Sequence, residues 1–242
     1  MVDAITVIKS ATAIAASADV LIGDLRPSLT GPDRLRVALF LTIAEHYEAA
    51  LLLQHAASAT LSALHVRSML EGLIAMNLLA KDGGYVDQMK YEQLRGERRM
   101  YTGLLADKNL PSDARKQIEA ILKERNIRFD ALHAAGSRPK RISEDFVKAG
   151  LAHFVVPYAM LCGFSHNDIA VLAFRHQGED AMTYRAPVDS EVVVSIFAIA
   201  IQIMLEATSP LSEIALFSEG VFDGAFGDMN KAWRALLDES EC

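Results

Sequence analysis

Leu61-Ser-Ala-Leu-His-Val-Arg67-Ser-Met-Leu-Glu71-Gly-Leu-Ile-Ala-Met-Asn-Leu-Leu79 is apolar almost all the way round, and Arg67 and Glu71 are its only charges. The stretch has no proline and no alternating polar pattern, so it reads as a helix. Ser58 or Thr60 can cap its start, and Gly83-Gly84 can end it. A helix that is apolar on every side needs neighbours on every side. The expected fold is therefore an all-α bundle with this helix inside it. At about 100° per residue, Leu64, Arg67, Glu71, Ile74 and Leu78 fall within one narrow stripe. Charges in such a stripe cost several kcal/mol unless they are paired. The i,i+4 spacing lets Arg67 and Glu71 meet, although Arg before Glu is the less favourable order. Two readings follow. One is a structural ion pair that ties the helix to its neighbours. In the other, Arg67 points into an internal polar pocket and binds an anionic group, with Glu71 orienting it.

Helical signals continue on both sides. The first segment, about 3–25, carries Ile5, Ile8, Thr12, Ala15 and Ala16 on one stripe and ends at Pro27. Asp33 opens a second, to about residue 57, and a fourth spans about 85–108. Pro111-Ser112-Asp113 opens a fifth, ending near Gly136, and Ser143 with Glu144 and Asp145 opens a sixth. A seventh runs from about His153 to Ser165, with Pro157 kinking it or marking its start. Residues 171–185 hold either a β-hairpin around Gly178-Glu179-Asp180 or a short helix and a loop. The segment 188–216 is helical again, broken near Pro210, and 222–237 closes the chain with its single tryptophan, Trp233. No repeat and no linker divides the sequence. The expectation is a single all-α domain over 1–242, a helical bundle of about eight or nine helices.

The chain has 242 residues, 51% hydrophobic and 23% charged, which excludes intrinsic disorder. A formal net charge of −7 argues against a basic, DNA-coating protein. Two cysteines, Cys162 and Cys242, cannot form a disulfide scaffold. Asp3, Lys9 and Asp19 do not suit a signal peptide. The longest apolar-rich run, 192–205, is shorter than the ~20 residues of a membrane span. A cytoplasmic protein that does not enter membranes is expected. Charge is uneven, however. Residues 81–150 hold 15 basic and 11 acidic side chains, whereas 151–242 hold 4 and 13. The middle helices read as a solvated hairpin, with a weak anionic-ligand surface as the alternative.

The second informative stretch is Tyr158-Ala-Met-Leu-Cys162-Gly-Phe-Ser165-His166-Asn167-Asp168, continuing to Arg175-His176. His166 can act as an acid or base near neutral pH. Asn167 can orient a ligand or cap the next helix, and Arg175 can hold a carboxylate or phosphate. The plainer reading is that Ser165, His166 and Asn167 end one helix and start another.

This stretch and the Arg67 helix together resemble an uncharacterised bacterial family, a domain of unknown function. Its pattern is an Arg-x-x-x-Glu helix, then, about ninety residues later, Tyr-x-x-Leu-Cys-x-x-Ser-His-Asn ending in Arg-His. The matching positions are Arg67, Glu71, Tyr158, Leu161, Cys162, Ser165, His166, Asn167, Arg175 and His176. Asp168 departs from it, standing where a second Asn is expected. The resemblance covers roughly 35–180. It implies an all-α fold, distantly similar to the HEPN (higher eukaryotes and prokaryotes nucleotide-binding) bundles, many of which are RNases of toxin–antitoxin and defence systems.

Other constellations are weaker. Arg128-x-x-x-x-His133 fits the Arg-x(4–6)-His motif of HEPN RNases, but about one such match is expected by chance. Glu45, His46, Glu48 and His55 lack the Glu-x-x-His pairs of a carboxylate-bridged metal site. No metal and no cofactor are expected. The catalytic candidates are His166, Arg175 and His176. The ligand-binding candidates are Arg67, Glu71, Tyr158 and Asn167. Three functions remain open: a binding module for a small anionic ligand or a partner, a metal-independent RNase acting on RNA, and a structural homodimer.

Overall fold

The computed structural model describes residues 2–27, 31–55, 58–166, 168–178, 180–184 and 187–241. The fold is all-α. Its α-helices are α1 (Ala4–Asp24), α2 (Gly31–His55), α3 (Ala59–Lys81), α4 (Tyr85–Leu105), α5 (Ser112–Ala134), α6 (Ile142–Ala149), α7 (Val155–Ser165), α8 (Ile169–His176), α9 (Ser190–Thr208), α10 (Leu211–Ile214) and α11 (Val221–Glu241). A 3₁₀ turn at Ala152–Phe154 leads into α7, so Pro157 sits in the first turn of that helix, where no backbone N–H is missed. Residues 171–185 combine both expected forms, because α8 is followed by a single antiparallel bridge between Gln177 and Met182. Glu179 and Arg185 lie outside the described residues. Among the described residues the helix count exceeds the eight or nine expected, because α8 and the four-residue α10 form as separate short helices.

The inner helix is α3, packed against α2, α9, α7 and α6. Val66, Met69, Leu70, Leu73 and Met76 are all fully buried. Gly72 lets α2 come close, since a Cβ there would stand 3.0 Å from Ile43 Cγ1. Buried polar groups close locally: Ser62 Oγ donates to the Ala50 carbonyl (2.8 Å) and Tyr47 OH to that of Ala11 (3.0 Å). The helices α1 and α11 pack on each other, and α1 also packs on α9. The stripe that α1 buries is Val7, Ala11, Ile14, Ala18 and Leu21, not the Ile5, Ile8, Thr12, Ala15 and Ala16 stripe of the sequence pattern. Alanine supplies an apolar surface all round this helix, so its neighbours decide which side goes inward.

A two-residue antiparallel pair, β1 (Arg26–Pro27) with β2 (Ala215–Leu216), joins the α1–α2 connection to the α10–α11 connection. Beside it, Ser218 Oγ donates to Asp24 (2.7 Å). The α4–α5 hairpin stands out from the bundle. Only Tyr91 and Leu94 of α4 are buried, and α5 buries nothing. Stacking of Tyr91 on Phe129 (4.6 Å) and an Arg125–Glu97 ion pair (2.7 Å) hold the hairpin's two helices together. This is the solvated hairpin that the charge pattern suggests. Three segments, Ala4–Asp24, Gly31–Gln54 and Ser190–Ile214, are long and apolar enough to cross a membrane.

Candidate functional site

The stripe containing Arg67 and Glu71 slopes from the surface into the core. Leu64, at its outer end, is exposed, whereas Ile74 and Leu78 are buried. Arg67 and Glu71 lie between these limits. They form the expected ion pair, with Nη2 to Oε1 at 3.0 Å. They are not largely buried as the apolar stripe suggests, because their side chains retain 27% and 44% of their exposure. The eleven residues of α7 are too few to cover the whole stripe.

Tyr158 comes to this pair from α7. Its hydroxyl donates to Glu71 Oε1 (2.9 Å) and accepts from Arg67 Nη2 (3.4 Å). The Arg67 guanidinium also lies 5.5 Å from the centre of the Tyr158 ring. Phe146 of α6 packs edge-on against that ring at 5.2 Å. Each member of the triad is therefore fixed by the other two. Partial burial, together with the Glu71 carboxylate, pushes Tyr158 up to about 12, against the pull of Arg67. For Arg67, desolvation acts downward, but the Tyr158 hydrogen bond and the Glu71 charge outweigh it and raise its pKa. The guanidinium is held charged, and its buried Nε–H has no hydrogen-bond partner among the described residues.

The remaining candidates stand apart from the triad. His166 is an exposed residue ending α7, and its backbone N–H donates to the Cys162 carbonyl (2.9 Å). Asn167 lies outside the described residues. Arg175 is partly buried on α8 and forms no ion pair or hydrogen bond through its side chain among the described residues. His176 Nδ1 lies 3.1 Å from the Thr183 carbonyl, so it braces the short bridge after α8. Cys162 sits one turn beyond Tyr158 on α7. Arg67, Glu71 and Tyr158 are thus brought together, while His166, Arg175 and His176 form no hydrogen bond with them.

The weaker motifs resolve into packing. Arg128 is within 3.7 Å of Glu124, and His133 stacks on Phe129 with its Nδ1 3.2 Å from Tyr91 OH. Both residues serve the α4–α5 hairpin. Among the described residues, no group of three or more His, Cys, Asp or Glu is placed to hold a metal. The His55 side chain lies outside the described residues. His46 instead faces His65, with Nδ1 atoms 3.1 Å apart. Nothing in the spacing of α2 and α3 announced that pair. A cleft of about 1040 Å³ at the other end of α3, which includes Tyr85 and Asp145, likewise has no signal in the sequence.

A family model described as a family of unknown function, DUF5677, matches residues 33–183. That span runs from α2 through the bridge after α8 and contains the whole triad. No curated protein and no solved structure matches the chain.

Proposed function

The chain belongs to the DUF5677 family, whose function is unknown, and from the site itself we propose that it is a non-catalytic binding module holding a small anionic ligand at Arg67. The observation that carries this reading is the Arg67–Glu71–Tyr158 triad. Its guanidinium is held by Glu71 and Tyr158 through Nη2 alone, at 3.0 and 3.4 Å. The other guanidinium N–H groups hydrogen-bond nothing among the described residues. A preorganised, partly exposed guanidinium suits a carboxylate or phosphate, which its Nη1 can meet with a charge-assisted hydrogen bond. Glu71 and Tyr158 lower the entropy lost on binding, because they already fix the Arg67 side chain.

The nuclease alternative has less support. It needs a histidine near the group that steadies phosphate charge. Among the described residues no histidine ring hydrogen-bonds to Arg67 or Glu71. The experiment follows the Arg67 Nε–H signal by ¹⁵N NMR while inorganic phosphate and acetate are added. A saturable shift that disappears in Tyr158→Phe supports the binding reading. In parallel, wild type is incubated with RNA in chelator. Cleavage that is lost in a folded His166→Ala variant would overturn it in favour of the nuclease.

A further inference from the structure

About 20 Å along α3 from Arg67, a cleft of about 1040 Å³ opens between the end of α3, the foot of the α4–α5 hairpin and α6. Two polar groups in its wall lack hydrogen-bond partners among the described residues. Asp145 is 7% exposed, and its Oδ2 is buried without a hydrogen bond. The buried hydroxyl of Tyr85 also has none. Such groups cost free energy unless something completes their hydrogen bonding. Burial raises the pKa of Asp145 against the opposing charges of Lys140 and Lys148. Burial also raises that of Tyr85, with Asp145 and Glu92 adding to it.

Five cationic side chains line the same cleft. Arg141 and Lys148 face Glu144 at 3.0 and 3.7 Å. The other three are held by uncharged groups. Lys81 Nζ donates to the Lys148 carbonyl (2.7 Å). Arg138 Nη1 donates to the carbonyls of His133 and Ser137 (2.7 and 2.8 Å). Lys140 Nζ lies 5.0 Å from the centre of the Tyr85 ring. The lining acids Asp82 and Asp87 are engaged elsewhere, with the Gly84 N–H (2.8 Å) and Lys90 (2.9 Å). Lys81, Arg138 and Lys140 therefore form no close ion pair among the described residues, although the charge of Lys140 acts on Asp145.

We propose that this cleft binds a sugar phosphate. Its phosphate would meet Lys81, Arg138 and Lys140, and its hydroxyl groups would meet the side chains of Asp145 and Tyr85, which line the cleft and turn outward to present Oδ2 and OH on binding. A bare anion satisfies only the cations and would be repelled by Asp145. An ammonium compound satisfies Asp145 but meets Lys140 and Lys148 beside it. A hydroxyl-bearing phosphate ester satisfies both sets of groups at once. The cleft volume is that of a small-molecule site.

Isothermal titration calorimetry on the full chain tests this with four probes: ribose 5-phosphate, glucose 6-phosphate, inorganic phosphate and ribose. At least one sugar phosphate should bind at least about tenfold more tightly than inorganic phosphate, and ribose should not bind measurably. Lys140→Ala, an exposed change, should weaken the sugar phosphate at least about fivefold. Asp145→Ala and Tyr85→Phe should remove the preference over inorganic phosphate, with circular dichroism confirming the fold. Arg67→Ala should leave this binding unchanged, which separates the cleft from the triad. Failure of both sugar phosphates to bind would overturn the proposal. So would equal affinity for inorganic phosphate, or binding indifferent to Lys140→Ala.

Discussion

Helices α3 and α8 look alike as sequence, each an apolar run with charged or ionisable groups set into it, yet α3 buries thirteen residues and α8 buries none. The difference comes from length and neighbours. α3 has twenty-three residues and touches α2, α6, α7 and α9. α8 has eight, hangs beyond the end of α7, and leaves Ile169 87% exposed with Leu172 and Phe174 also open. Apolar composition reports how much surface favours burial, and topology decides which segment obtains it. The polar groups follow suit. Arg67 on α3 has two partners within the fold, whereas the Arg175 side chain on α8 makes no bond among the described residues.

The sharpest way to break this contrast is to remove the same side chain from both helices. Leu73→Ala, in the fully buried part of α3, should cost about 2–5 kcal/mol in urea unfolding, because it leaves a cavity. Leu172→Ala on α8 should cost about 0.5 kcal/mol or less. A large cost at Leu172 would mean that α8 is covered in solution. Light scattering would then show a mass above the 26.4 kDa of one chain.

Glycines on the two sides give the next contrast. Gly72→Ala drives a Cβ to 3.0 Å from Ile43 Cγ1, and such overpacking between α2 and α3 should cost about 1–3 kcal/mol. Gly163→Ala, near the end of α7 that leads into α8, meets Asp168 Oδ2 at an ordinary 3.4 Å. There the better helix propensity of alanine should leave stability unchanged or raise it by up to about 1 kcal/mol.

The ion pair shows how far the sequence could be read. The i,i+4 spacing of Arg67 and Glu71 and the family-like Tyr158 were enough to name the triad's members. Their depth was not legible, since it depends on how far α7 reaches along α3. The separation of Arg175 and His176 from the triad was hidden for a related reason: it depends on where the chain turns after Ser165. Asp145 was visible only as an acid in the first turn of a helix, because its burial is made by residues distant in the chain. Full burial of the ion pair would make Arg67→Ala cost about 3–5 kcal/mol. With both side chains still partly in water, about 0.5–1.5 kcal/mol is expected by thermal melting.

The smallest expected effect concerns the contact of α3 with α2, for which α8 has no counterpart. His46 and His65 place their Nδ1 atoms 3.1 Å apart, so one ring must present an N–H and the other a lone pair. A second proton would bring two N–H groups face to face. Burial, and then the charge of His46, accordingly lowers the pKa of His65 from its ordinary 6.5. Between that value and the lowered one, the unfolded chain binds more protons than the native chain. Stability contributed here is therefore full above pH ~6.5 and is lost as pH falls through the window. The site is only partly buried, so the loss should be about 0.5 kcal/mol or less. His65→Gln should flatten the dependence of the urea midpoint on pH below ~6.5. An unchanged slope in that variant would show that α2 and α3 meet at this point without electrostatic consequence.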